Sequence, residues 1–344
     1  MITRTTPVIP GPDSSSSRTT STSPVMGMLS DRSIMRETIL QRLSADGFNA
    51  RIVSIRRLGD LREELERLHR EGQFDPAFYR ARLAEFRFTL PDSMPGARSL
   101  IIVAFGDPLV RFTFHWRGVP VRVMVPPTYL HWIAKDQAVA RILGELLAPA
   151  GHRVEQIRVP RKLLAACSGL ATYGRNNIAY VEGMGSFHRL AVLCSDLPCD
   201  EDDWPGPRMM ARCERCQACS RGCPTGAIDP SRFLIHAERC ITFWNEEPPQ
   251  VAFPGWMHQS WHNCLVGCMH CQTVCPENRG RAERFQEGAE FSEDETALLL
   301  RGLPPTDLPH ALAEKLREND LLEVADLFPR NLGALLRGEE AGIG

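Results

Sequence analysis

The sequence predicts an α+β chain: a layered α/β region, then a compact cysteine-rich module, then a short helical end. Three observations carry this. Over roughly the first two hundred residues, short apolar runs alternate with amphipathic segments, the pattern of strands layered with helices. Nine of the twelve cysteines fall between Met209 and Asn278. After Phe291 the apolar residues recur with helical spacing.

With 344 residues, 43 % of them hydrophobic, the chain can build one large or two ordinary cores. Its formal charge of −2 gives no global field toward nucleic acid or anionic lipid. No apolar run has the roughly 18 residues of a membrane helix, so no membrane association is expected. Residues 1–30 are rich in Ser, Thr and Pro and read as a disordered tail. They lack an apolar h-region and a twin-arginine pair, which leads to a cytoplasmic expectation, with Met26, Met28 and Met35 as alternative starts. In a reducing compartment, clustered cysteines indicate metal or catalysis and not disulfides.

Taken in order, Asp31 to Gly47 reads as an amphipathic helix and Asp60 to Arg70 as a charged one carrying Leu61, Leu65 and Leu68. Ser99 to Phe105 is a continuous apolar run suited to a central strand, and Arg117 to Val125 an edge strand because of Pro120. Tyr129 to Leu147 reads as a long helix between prolines, and His188 to Cys194 as a second buried strand. The Pro- and Asp-rich stretch Asp196 to Pro207 marks a boundary. The expected divisions are 31–205, 206–285 and 286–344. Thr296 to Arg301 and Pro309 to Asn319 are the helical segments of the last.

Within the module, Cys213, Cys216, Cys219, Cys223 and Pro224 form C-x2-C-x2-C-x3-C-P. This is the bacterial ferredoxin run, whose fourth cysteine serves the other of two [4Fe–4S] clusters. Three thiolates two residues apart wrap one cluster; the fourth points away, and Pro224 suits a helix start. Cys268, Cys271, Cys275 and Pro276 repeat the run with one cysteine missing, and Cys240 and Cys264 are the candidates to complete it. Structural zinc takes separated cysteine pairs, a different pattern. His258, His262 and His270 then read as groups outside the ligand set, and Cys167, Cys194 and Cys199 as small buried hydrophobes.

The order of motifs over Pro91 to Asn278 resembles the epoxyqueuosine reductases and their relatives, the corrinoid reductive dehalogenases. In that family a lone cysteine in an R-C-I-[ST] segment stands well upstream of G-C-x2-C-x3-C-P. Arg239-Cys240-Ile241-Thr242 stands similarly before Gly267-Cys268. The resemblance therefore implies Cys213, Cys216, Cys219 and Cys275 for one cluster, and Cys223, Cys240, Cys268 and Cys271 for the other. Gly169 to Asn176 is similar to the family's G-L-G-W-x-G-K-[NH], and Gly185-Ser186-Phe187 to its G-S-[WF]-x-x-L-G-E. These segments imply a nitroreductase-like α/β layer holding base-off cobalamin beside the nearer cluster. Tyr129, Gly169, Gly174, Arg175, Asn176, Gly185, Ser186 and Phe187 would be at that site.

Counting back by the family's interval to its catalytic Asp lands on Glu155, a candidate general acid. The family's D-Y-H segment is represented only by Thr128-Tyr129-Leu130-His131. Phe291 to Gly344 carries five basic residues against eleven acidic ones, a net of −6, where tRNA-modifying members carry a basic tail. Such a tail repels tRNA, since phosphate contacts dominate nucleic-acid affinity. The implied activity is an iron–sulfur reduction drawing on an external donor of flavodoxin or ferredoxin type. Its substrate would be a modified nucleoside or an unrelated small molecule. The alternatives are a cluster protein for electron transfer or scaffolding without corrinoid, and a flavin reductase on the same layer.

Overall fold

The computed structural model describes residues 31–342, so the predicted disordered tail at 1–30 lies outside the described residues. Its first half is an antiparallel four-stranded sheet covered by helices on both faces. The chain runs α1 (Asp31–Ala45), β1 (Asn49–Ser54), α2 (Arg57–Arg70), then a short α3 (Pro76–Phe78) continued by a π-helical turn over Tyr79–Leu83. β2 (Ser99–Gly106), β3 (Leu109–Trp116), β4 (Val119–Val125), α4 (Trp132–Leu147), β5 (Val154–Gln156) and α5 (Arg161–Cys167) follow. The hairpin β6 (Ala171–Tyr173) and β7 (Ala179–Val181) leads into β8 (His188–Ser195).

The sheet order is β1-β2-β8-β5, which places β2 and β8 centrally, as their apolar runs predict. Alternation explains the continuous run: Leu100, Ile102 and Ala104 face a core built with α2 and α5. Ile101, Val103 and Phe105 face the opposite core, built with α1 and α4. A strand buried on both faces has no polar side to show.

β3 and β4 belong to a second sheet, ordered β4-β3-β9, where β9 is Phe285–Phe291. β4 is its edge, which tolerates Pro120. β9 runs parallel to β3 from far along the chain and was not expected. Gly288 is required there, because a Cβ would meet the Phe112 ring at 2.4 Å. The end of the chain is helical as read, in α9 (Glu293–Arg301), α10 (His310–Glu318) and α11 (Phe328–Gly342). These helices share one core with β3, β4 and β9, through Phe112, Phe114, Phe291, Leu299, Leu312, Leu316 and Phe328.

The cysteine-rich stretch holds only short helices, α6 (Ala218–Gly222), α7 (Ile241–Asn245) and α8 (His270–Thr273). It is fixed from the C-terminal side. Asn331 on α11 donates to the carbonyls of Asn245 and Leu265, at 2.9 and 2.8 Å. Arg330 donates to the carbonyls of Pro248, Val251 and Glu247. Loops with little core of their own thus borrow rigidity from the helical end. Among the described residues no helix is long and apolar enough to cross a membrane.

Candidate metal centre and reaction cavity

The eight cysteines assemble as two groups. Cys213, Cys216 and Cys219 come from one turn-rich run, and Cys275 reaches them from the other end of the module. Cys219 feels the charges of Cys213, Cys275 and Cys216, and burial with that repulsion pushes its thiol up to about 11. Cys213 is raised by burial and then by Cys275 and Cys216. We call this the outer group, since none of the four lines the cavity described next. Arg175 clamps it, donating to the carbonyls of Cys216, Cys213 and Pro230 at 3.2, 2.5 and 2.9 Å.

The inner group, Cys223, Cys240, Cys268 and Cys271, lines a cavity of about 490 Å³. Burial, with the charges of the neighbouring cysteines, pushes Cys268 and Cys271 well above the usual thiol range and raises Cys240. Thiols raised in this way ionise together only if cationic charge is added between them, which is what iron supplies. Donors are already in place: the backbone N–H of Thr242 and Phe243 and the Thr242 hydroxyl on Cys240, the backbone N–H of His270 on Cys268, and the Asn176 amide on Cys271. Such bonds stabilise thiolate and tune cluster potentials. One zinc ion would draw its sulfurs to about 2.3 Å from a single point.

Cys264, the other candidate, is completely buried beside Leu109, Phe187 and Met269 and does not line the cavity. Its backbone bridges to Met124 of β4. Cys167, Cys194 and Cys199 are buried, as read. His262 is buried and His258 bonds Ser260, while His270 lines the cavity and contacts the Trp261 carbonyl.

A polar bridge joins the two groups. Asn176 meets Cys271 and donates at 3.1 Å to the Tyr180 hydroxyl, which in turn meets Cys275. Gly174 beneath it has no room for a side chain, since a Cβ would lie 2.5 Å from the Asn176 amide oxygen.

The expected site residues divide. Tyr129, Asn176 and Ser186 line the cavity. Arg175 holds the outer group instead. Gly169 and Gly185 shape turns at positive φ, and Gly185 abuts Asn278. Phe187 is a correction: it packs in the core with Leu109, Cys264 and Met269. Glu155 is a second correction. It lies on the edge strand β5, paired with Cys194, and its carboxylate accepts from Ser93 outside the cavity. The helix expected from Tyr129 starts at Trp132, because His131 adopts a left-handed conformation (φ 55°). Tyr129 is thereby released to face the cavity.

Sequence reasoning missed the cavity's charged groups. The Tyr129 hydroxyl donates to Glu246. Lys162 and Glu246 face the cavity and keep exposed surface there, while desolvation by the protein packed around them lowers the Lys162 pKa and raises that of Glu246. Burial, and then the Glu246 charge, raises Tyr129 far above its ordinary value. Asp136, buried, forms a bidentate pair with Arg189 at 3.0 Å and a second pair with Arg161 at 2.9 Å. Both arginines line the wall. His188 is buried, its Nδ1 placed against the Gly185 carbonyl, and burial lowers it to about 4. A second, apolar chamber of about 1000 Å³ adjoins, sharing Phe78, Arg161, Lys162, Asn177, Ile235 and Ala237 as its wall.

Residues 212–278 match the family described as 4Fe-4S double cluster binding domain. Epoxyqueuosine reductases of Francisella cf. novicida and Pseudomonas aeruginosa are 31 % and 35 % identical over 147 and 148 residues. Each alignment covers 42 % of this chain, and 40 % and 39 % of those proteins. The chain thus spans about two fifths of the length of these curated relatives. Among solved structures, epoxyqueuosine reductase from Streptococcus thermophilus superposes with a TM-score of 0.61 at 16 % identity, covering 88 % of this chain and 81 % of that one. The mixed helix and strand fold is therefore that of this structure. The likeness read from the motifs holds: the chain is similar to epoxyqueuosine reductases, and its residues 212–278 match a 4Fe-4S double cluster binding domain.

Proposed function

We propose that the chain is an iron–sulfur reductase of the epoxyqueuosine-reductase kind, acting on a substrate that enters the cavity beside the inner cysteine group. One observation carries the reading: Cys223, Cys240, Cys268 and Cys271 share a cavity wall with Tyr129, Lys162 and Glu246. In this reading, electron source and proton-holding groups meet in one cavity. In this reading the two groups hold one [4Fe–4S] cluster each, which supply single electrons. Residues 31–205 form the nitroreductase-like layer, 206–285 the cluster domain and 286–344 the buttressing end.

The cavity and its apolar neighbour, about 490 and 1000 Å³, have the volume and the mostly apolar walls of a site for a large cofactor. Bound there against Tyr129, Asn176 and Ser186, a cobalamin would supply a low-valent metal centre for the reduction. The protein's own part is proton supply and exclusion of water. Tyr129 holds its hydroxyl proton toward Glu246, and Lys162 stands in the same space with its charged form disfavoured. Lys162 and Glu246, each displaced toward neutral pH, suit general acid–base work, while Tyr129 keeps its proton. They take the place first assigned to Glu155.

The relatives are named for epoxyqueuosine, and one solved neighbour was determined with an epoxyqueuosine-modified tRNA-Tyr stem loop. For this chain we propose a modified nucleoside or a small molecule as substrate, since the C-terminal region carries net negative charge. Reconstitution with iron, sulfide and cobalamin without oxygen tests the reading. Corrinoid absorbance surviving desalting, beside the cluster bands, is expected. Cluster bands alone would leave an electron-transfer protein without corrinoid chemistry.

A further inference from the structure

The outer cysteine group carries a second feature that substrate chemistry does not use. The face around it carries an excess of basic residues, four arginines against two glutamates. Arg212, Arg215 and Arg221 are exposed and interleave with Cys213, Cys216 and Cys219, and Arg279 is exposed just past Cys275. The segments are contiguous in space: α6 packs on α8. Val274 sits 3.0 Å from where a Cβ on Gly222 would be, and Arg212 pairs with Glu277 at 2.7 Å. Arg215, Arg221 and Arg279 make no ion pair among the described residues. Glu214 and Glu277 are the acidic residues interspersed with these four arginines. Val274, 45 % exposed, adds an apolar spot beside Cys275.

None of these residues lines the cavity, which the inner group faces. The cavity must admit substrate and keep water out, so it is a poor route for a protein donor. The outer group, linked inward through Tyr180 and Asn176, is the end of the pair that a donor can approach.

We propose that this arginine-rimmed face, Arg212, Arg215, Arg221 and Arg279 around Val274, is the docking site for a small one-electron carrier protein with an acidic surface. The proposal rests on the reading that the outer cysteines hold a cluster. In the transfer, the reduced carrier loses one electron and the outer cluster gains it, with no bond made or broken. Opposite charges raise the encounter rate and orient the partners, and an apolar spot at the centre allows close contact. A nucleic acid is also drawn to arginine. Here the patch lies over the outer group and away from the cavity, where a nucleoside would have to react, so the carrier is the better fit.

The test uses the full chain with its clusters reconstituted and an acidic flavodoxin, fully reduced, as the probe. Stopped-flow bleaching of cluster absorbance gives the second-order rate. In the double variant Arg215→Glu/Arg221→Glu that rate should fall roughly tenfold or more at low ionic strength. Salt should slow the wild type and leave the variant almost unaffected. Photoreduction by deazaflavin, which needs no docking, should be unchanged in both. Arg279→Glu, on a separate loop, should give a smaller loss of the same kind and keeps the test open if the double variant loses its clusters. Equal rates and equal salt dependence would overturn the proposal. So would variants that lose only affinity for a tRNA stem loop. Salt-dependent reduction by the carrier in protein that retains no corrinoid would support the docking face while sinking the corrinoid reading.

Discussion

The outer and inner cysteine groups are built from the same ligand and answer to different surroundings. The outer four lie under exposed arginines, held by Arg175 from the α/β layer. The inner four line a cavity, and their loop is held by Asn331 and by Tyr129. Cys268 and Cys271 are raised well above ordinary thiol behaviour by burial, then by the charges of Cys264 and Cys240 on Cys268 and of Cys268 and Cys240 on Cys271. The difference teaches that chemistry identical in sequence acquires direction from its setting. One group lies beneath an exposed face, and the other lines a cavity.

The strongest way to break this contrast is at Gly267. It sits at φ 71°, and a Cβ there would lie 2.8 Å from the Tyr129 ring. Gly267→Ala must therefore strain the backbone and push Tyr129 away, at a cost of about 1–3 kcal/mol. We expect it to lose the inner cluster and keep the outer one, read by electron paramagnetic resonance as an isolated reduced cluster. Arg175→Ala should do the reverse, releasing the carbonyls of Cys213 and Cys216 at about 1–3 kcal/mol. An unchanged cluster count in both variants would mean that the two groups do not depend on separate supports.

A smaller effect is expected at Lys162. Lys162→Met removes the amine whose charged form the Cys240 and Cys271 thiolates favour, so the inner cluster should become harder to reduce while the outer keeps its potential. Redox titration separates the two. The smallest effect concerns acid stability. Burial lowers His262 from 6.5 to about 4, so its neutral form is the folded one. The unfolded chain binds more protons between those values, and stability present above pH 6.5 is lost as pH falls toward 4. His262→Gln should flatten that part of the stability curve, by roughly 1–3 kcal/mol at its acid end, in denaturant titrations at each pH.

The legible parts of the sequence were those set by short spacing. Cysteines two or three residues apart must share a loop, and a doubly apolar run such as Ser99 to Phe105 must be central. β9 was not legible, because FQEGAEF shows no strand alternation and its partner β3 lies some 176 residues away. Glu155 was misplaced by counting along the chain as if the interval were constant, whereas a three-residue edge strand turns it outward. Lys162 and Glu246 were passed over because a charged residue reads as open surface until the fold turns it toward a cavity. His131 in a left-handed conformation delays α4 and frees Tyr129, which no propensity announces.

The choice between Cys240 and Cys264 joins these threads, since it decides whether a cluster faces the cavity. Cys240 lines it, and Cys264 is shut in the core beside Met269. The direct test is the iron and sulfide content, with electron paramagnetic resonance, of Cys240→Ala and Cys264→Ala reconstituted side by side. The account predicts one cluster in the first and two in the second. Two clusters in Cys240→Ala, or one in Cys264→Ala, would contradict it.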